Sequence, residues 1–358
     1  MIRPLSFIAL LLLANPVSAE DLLDWLDGVS RSKASATGAG KDSVMESATL
    51  VTVENGEFEM YPKVSPDGKY LLVSSGKRKS TAITRRVLEN GEILNTVTDD
   101  KLSLDSFAWN GNEQVIFLSD RGGDLGIWSV ASNGQGSVRR MHRLTGTFIQ
   151  PLVLKDGSLI AVHLEKKQGL HRLRKASSAV LNFSNWDIKG IESTRLLHIQ
   201  KSGAVDELAA GINPSLSPDG EKVVFSMQVG RSWHLFMMHV DGSDLIQLTN
   251  DRSIDVQPTW SPDGKWIAFT SDRGETNMKT HGKRNWDIWM IHHDGRNLTR
   301  LTFDDARDGG AAIAANGRVY FHSDRKLASS ERKEHRVNGS STGFHIWSLA
   351  TPDVVGSF

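Results

Sequence analysis

Several short constellations in this 358-residue sequence have the composition of chemical sites. The string "GSSTG", Gly339 to Gly343, matches the G-x-S-x-G elbow, which presents a nucleophilic serine on a strand-to-helix turn and needs acid and histidine partners. His345 follows at once and no helical pattern does, so the string reads as a Ser/Gly-rich hairpin loop. "DDARDGG" from Asp304 offers acids at the first and fifth loop positions and Gly309 at the sixth. Ala306 and Ala315 then stand where a calcium loop needs oxygen ligands. His292 and His293 are adjacent on a predicted strand, whose period of two aims them at opposite faces, so His281, His322 or His345 would join one of them only through the fold. No glycine-rich phosphate loop or nucleotide fingerprint is present. The expectation is therefore no catalytic set, no cofactor and no metal ligands.

The elements that would position any site announce themselves by repetition. "SPDG" occurs at Ser65, Ser217 and Ser261. Proline presets the backbone at the second turn position and glycine takes the left-handed position after it, so each copy is a tight turn. Short alternating β-formers flank it, as in "QPTW" before Ser261 and "KWIAFTS" after Gly264, which makes a strand, turn, strand unit. Related units begin at Tyr61, Ser106, Gln150, Asn213 and Ala311, giving six with the copy around Ser261. Aligned on the turn, Gly68, Glu113, Gly157, Gly220, Gly264 and Gly317 lie 45, 44, 63, 44 and 53 residues apart. A third strand follows in "IWSV", "LFMM", "IWMI" and "IWSL", and a fourth closes on Leu144-Thr145, Leu248-Thr249 and Leu301-Thr302. A base period near 44 residues with four strands per repeat is that of a propeller blade. The fold class is all-β, a six-bladed β-propeller of four-stranded antiparallel blades over residues 48–358. Two segments can complete the last blade: "ATLVTV" at Ala48 to Val53, or "PDVVGSF" at the C-terminus. The recurrent tryptophans Trp109, Trp128, Trp260, Trp266, Trp289 and Trp347 belong to the packing between blades.

Ahead of the propeller, Arg3, an apolar run from Leu5 to Ala14 and "VSA" before Glu20 form a secretory signal over residues 1–19, cleaved after Ala19. That run is too short to span a bilayer and no later stretch is long enough, so no transmembrane segment is expected after cleavage. Residues 20–47 hold a short amphipathic segment, apolar at Leu22, Leu23, Trp25, Leu26 and Val29, and a flexible linker. This segment docks on the propeller or engages a partner. The chain has no cysteine, so neither a disulfide nor a lipid-modified cysteine is available to it.

The long intervals come from insertions between second and third strands, which leave a propeller from one face. They are rich in cations: Lys166, Lys167, Arg172, Arg174 and Lys175 in the third blade; Lys279, Lys283 and Arg284 in the fifth; Arg325, Lys326, Arg332, Lys333 and Arg336 in the sixth. Asp67, Asp156, Asp219 and Asp263 fall on the opposite face. A chain balanced at 42 basic and 42 acidic residues is thus expected to carry a basic binding face. The counter-expectation is that Asp99, Asp100, Asp251, Asp304, Asp305 and Asp308, on connections between blades, neutralise that face. Nucleic acid is not the expected partner, because these loops lack interleaved aromatics apart from Phe183 and Trp186 and the chain is exported.

The pattern "PTWSPDGKWIAFTSDR", followed by "IWMI", "DG" and "LT", resembles the propeller repeat of the TolB family, whose members serve the periplasmic Tol-Pal envelope system. The resemblance covers roughly residues 48 to 350. It implies an exported, non-catalytic, protein-binding propeller in the periplasm, whose partner is an envelope protein or an anionic envelope polymer. TolB proteins carry an α/β domain ahead of the propeller, and the 28 residues from Glu20 to Ser47 are expected not to supply one. Similar repeats occur in tricorn-like and dipeptidyl-peptidase-like proteases and in oligogalacturonate lyases. The alternative expectation is accordingly a lyase-like enzyme that holds an acidic sugar and a divalent metal in a histidine-lined pocket.

Overall fold

The computed structural model describes residues 48–352 apart from 55–56, 78–79, 100–105, 124–125, 143–145, 167–190, 275–284 and 336–342. The chain enters through β1 (Thr49–Thr52) and then builds blade one from β2 (Phe58–Val64), β3 (Tyr70–Lys77), β4 (Ser80–Val87) and β5 (Ile93–Thr98). Blade two is β6 (Phe107–Asn110), β7 (Gln114–Ser119), β8 (Gly126–Ala131) and β9 (Arg139–Arg140). Blade three is β10 (Phe148–Val153), β11 (Leu159–Lys166), β12 (Ile191–Ile199) and β13 (Val205–Ala210). Blade four is β14 (Ile212–Leu216), β15 (Lys222–Val229), β16 (Ser232–His239) and β17 (Ile246–Gln247). Blade five is β18 (Asp255–Trp260), β19 (Trp266–Ser271), β20 (Asp287–His292) and β21 (Thr299–Arg300). Blade six is β22 (Asp308–Ala314), β23 (Arg318–Ser323) and β24 (His345–Ala350), with α1 (Ser329–Glu334) between the last two. The six sheets are four-stranded and antiparallel, as the repeat predicts.

Ring closure falls to the N-terminal of the two candidates. β1 is the outer strand of blade six, paired with β24 through Thr49↔Ser348 and Leu50↔Trp347. Residues 353–358 lie outside the described residues. Closure by the other end of the chain ties blade one to blade six with a hydrogen-bonded ladder and leaves no blade short of a strand.

Second strands carry the core. Val115, Ile116 and Phe117, then Val223, Val224 and Phe225, then Ile267, Ala268 and Phe269 are runs of fully buried apolar residues, because neighbouring blades cover both faces of each sheet. The turns are set locally. In Ser65-Pro66-Asp67-Gly68 the serine hydroxyl donates to Asp67 Oδ1 at 2.6 Å and accepts the Tyr70 N–H at 2.9 Å, while Gly68 takes φ +69°. Ser217 with Asp219 and Ser261 with Asp263 repeat the arrangement at 2.5 and 2.6 Å. The serine bond holds the Asp67 and Asp219 carboxyls below the ordinary range.

Between blades, Trp109 Nε1 donates to the Lys63 carbonyl and Trp260 Nε1 to the Ser215 carbonyl, each reaching the first strand of the preceding blade, as expected of inter-blade tryptophans. The Leu-Thr pairs fall just after the fourth strands rather than inside them. Thr249 and Thr302 hydroxyls accept the N–H of Leu235 and Ile288 at 3.0 Å and so extend the sheet; Leu144 and Thr145 lie outside the described residues.

A further feature is invisible in the local pattern. Tyr61, Gln150, Asn213 and Gln257, each preceding a proline, adopt φ between +51° and +56°, at a bulge in the innermost strand of their blades. Such a conformation costs about 1–2 kcal/mol per non-glycine residue. Cross-blade hydrogen bonds offset it: Tyr61 N–H donates to His322 Nδ1, Gln150 N–H to Ser106 Oγ, and Asn213 N–H to Gln150 Oε1, with Gly310 N–H donating to Gln257 Oε1 in the same manner.

Candidate functional site

Antiparallel strands alternate direction, so second-to-third connections and the links between blades emerge on one face, and the Ser-Pro-Asp-Gly turns on the other. On the loop face, three successive blade interfaces bury a charged node built to one plan. Each combines a residue at the start of the third strand, an acid from the link and an acid from the first strand of the next blade. These are His234, Asp251 and Asp255 between blades four and five; Asp287, Asp304 and Asp308 between five and six; His345, Glu54 and Glu59 between six and one.

Arginines hold each node. Arg273 pairs with Asp255 and, at 3.2 Å, with Asp251. Arg325 pairs with Asp308 at 2.8 Å and Asp304 at 2.9 Å, while Arg300 meets Asp287 at 2.7 Å. Arg86, 2% exposed, lies 2.8 Å from Glu59 Oε1 and 3.6 Å from Glu54, and His345 Nδ1 is 3.2 Å from Glu59 Oε2. The Arg86–Glu59 contact is one of apposed charges, since neither atom makes an aligned hydrogen bond in it.

The recurring "SDR" of the repeat is thereby explained. In Ser271-Asp272-Arg273 and Ser323-Asp324-Arg325 the arginine donates to the serine hydroxyl two residues back and stacks over Phe269 and Trp289, or Phe321 and Trp347, which aims its guanidinium into the node. Burial dominates the acids: it pushes Asp287 up to about 7 and Asp308 up to about 6 against the lowering influence of Arg300 and Arg325.

Against this frame of acids, the cations expected to form the partner surface divide. Arg325 has its guanidinium committed to Asp304 and Asp308. Lys326, Arg332 and Lys333 are exposed and make no ion pair among the described residues. Glu331, on the same short helix, accepts the Ala328 N–H at its start. Lys166 ends β11, while Lys167, Arg172, Arg174, Lys175, Lys283, Arg284, Arg336, Leu22, Trp25 and Leu26 lie outside the described residues. Of the acids expected to neutralise the face, Asp251 is engaged by Arg273 and both Asp304 and Asp308 by Arg325, Asp99 and Asp305 are exposed, and Asp100 lies outside the described residues; Asp324, not among those expected, pairs with Arg307.

The expectation that His292 and His293 point apart is corrected. β20 ends at His292, so His293 already belongs to the turn, and the two rings lie 4.5 Å apart with a 36° tilt. His292 Nδ1 sits 2.8 Å from Asp294, which leaves the pair a turn-face feature. Other histidines are dispersed: His142 and His163 pack on Phe148, and His322 on Tyr61 and Phe344, where burial lowers its pKa to about 3. Among the described residues, one group of three side chains has the spacing to hold a metal ion, and it contains a single histidine, His234.

This architecture defines a propeller of Ser-Pro-Asp-Gly blades closed by its N-terminal strand. The family model of the TolB beta propeller domain matches residues 188–319. A TolB homolog from Chlorobium luteolum is 26% identical over 161 residues, 44% of this chain and 31% of that protein. A Tol-Pal system protein TolB from Francisella tularensis is 27% identical over 138 residues, 37% of this chain and 30% of that protein. The matches thus span about a third of the length of these curated relatives. A structure solved as TolB from Agrobacterium tumefaciens shares the fold, with a TM-score of 0.51 at 18% identity over 83% of this chain and 91% of that one. The propeller of this chain is TolB-like. No helix among the described residues is long and apolar enough to cross a membrane.

Proposed function

We propose that this protein is an exported, non-catalytic scaffold of the periplasm that binds an acidic envelope partner through its loop face, after cleavage of residues 1–19. The observation that carries the reading is the division of charge on that face. Asp251, Asp304 and Asp324 are bound by Arg273, Arg325 and Arg307, while Lys326, Arg332 and Lys333, in the blade-six insertion that starts from that face, are exposed without ion pairs among the described residues. Cations left unpaired on a surface raise the local concentration of an acidic partner and speed its docking. Lys166, Lys167, Arg172, Arg174, Lys175, Lys283, Arg284 and Arg336 extend the same surface in this proposal, with Leu22, Trp25 and Leu26 as an apolar anchor. The similarity to a Tol-Pal system protein supports an envelope setting.

A metal-dependent lyase acting on acidic sugars is less well supported, because, apart from the turn-face pair His292 and His293, the described histidines are dispersed, and the one group with metal-ligand spacing among the described residues contains a single histidine. Affinity capture from envelope extract, with the chain from Glu20 onward as bait, tests the proposal. Specific partners should elute with salt and be lost with Arg172→Glu/Arg174→Glu/Lys175→Glu and with Arg332→Glu/Lys333→Glu. Capture unchanged by both variants refutes the basic face; turnover of acidic oligosaccharides with bound metal would establish the enzyme instead.

A further inference from the structure

Two of the ionic nodes share their link and first-strand acids and differ in the pair of residues that faces them. In the node between blades five and six, three carboxylates, Asp287, Asp304 and Asp308, meet two guanidiniums, Arg300 and Arg325. Between blades four and five, His234 stands where Asp287 stands, and Gln247, paired with Phe236 as Arg300 is with Trp289, stands where Arg300 stands. Arg300 Nε donates to the Thr302 carbonyl and its Nη2 reaches on to Asp287; Gln247 Nε2 donates to the equivalent Thr249 carbonyl and ends there. The swap removes one carboxylate and one cation together and puts an imidazole beside Asp251 and Asp255.

That imidazole is 5% exposed, and its buried Nδ1 has no hydrogen-bond partner among the described residues. A buried polar nitrogen without a partner is costly unless a ligand satisfies it. His234, Asp251 and Asp255 each offer one ligand atom, all within 4.8 Å of one another. Donors about 2.0–2.2 Å from a shared ion fall within such a spread.

We propose that His234, Asp251 and Asp255 form a binding site for a first-row divalent cation, such as zinc or manganese, at the interface of blades four and five. The donor set selects the ion: one imidazole with two carboxylates suits zinc and manganese, whereas calcium and magnesium prefer oxygen alone. The surroundings match those of a metal centre. Arg273 holds both carboxylates and is itself fixed over Phe269 and Trp289, and Ser253 and Ser271 hydroxyls donate to Asp255, so the ligands are oriented from outside. Asp251, with a side chain 47% exposed, opens the site to solvent and to water ligands. The two carboxylates outnumber the single arginine, so the site has a net negative charge that attracts a cation.

The test is calorimetric titration of the chelator-treated protein from Glu20 onward with Zn²⁺ and, separately, Mn²⁺. One ion should bind per chain. His234→Gln and Asp251→Asn should each weaken binding at least about tenfold. Gln247→Arg, which installs the guanidinium of the neighbouring node, should abolish binding while keeping the fold, as followed by circular dichroism. His292→Ala/His293→Ala should leave the interface site intact. Absence of binding to the wild type, binding unaffected by His234→Gln or by Gln247→Arg in folded protein, or binding lost in the His292/His293 variant would each overturn the proposal.

Discussion

Replacing Arg86 with methionine tests whether the closing seam is held by charge as well as by strand pairing. The guanidinium lies 2.8 Å from the fully buried Glu59 and 3.6 Å from Glu54. It also donates to the Gly91 carbonyl and the Thr84 hydroxyl at 3.2 Å. Methionine fills similar volume but leaves Glu59 with His345 alone, and an uncompensated buried charge costs about 3–5 kcal/mol. Glu59→Gln in the same background removes that charge. The double variant should then recover all but the lost hydrogen bonds, about 1–2 kcal/mol in sum. Urea unfolding of the wild type, both single variants and the double variant gives the four free energies, with a coupling of about 2 kcal/mol or more expected. If Arg86→Met lies within about 1 kcal/mol of wild type, or the single effects simply add, the seam is held by β1 and packing alone and the ionic argument fails.

Other outcomes follow from single observations. Gly91 at φ +71° lies against the Val51 carbonyl of the closing strand, so Gly91→Ala should loosen that strand, read as faster amide exchange at Val51 and Thr52 with little change in blade four. Ser261→Ala removes the acceptor of the Trp266 N–H and the donor to Asp263; it should cost about 1–3 kcal/mol in denaturant unfolding and raise the Asp263 pKa in a carboxyl titration. Burial holds His322 down to about 3, so its folded-state pKa lies below its unfolded value. Its contribution is complete above about pH 6.5 and is lost as pH falls toward 3; in His322→Gln the pH dependence of unfolding across that window should flatten, and an unchanged slope would refute the assignment. Asp287 runs the other way: its raised pKa, about 7, makes folding progressively less favourable as pH rises from about 4 to 7, and Asp287→Asn should remove that penalty in the same measurement.

What the sequence determined by itself was the repeating unit. Pro66, Pro218 and Pro262 with their glycines fix a turn from local backbone preferences, and alternating β-formers on both sides fix the strands, so blade number and strand count could be read directly. The basic insertions were equally legible as composition. Tertiary structure decided what local preference cannot encode. Both "ATLVTV" and "PDVVGSF" suit an edge strand, and only the ladder between Thr49–Thr52 and His345–Ala350, almost three hundred residues apart, selects the first. Arg325 is legible in the sequence only as one cation of an insertion, and Arg273 only as the end of a repeat string, until the fold brings the next carboxylate beneath them. His234 carries no signal in its own segment, and only the fold brings Asp251 and Asp255 beside it. The reason is common to all three: the energy of a charged side chain depends on burial and on the charges near it, and both are set by a neighbouring blade that the residue's own segment does not contain.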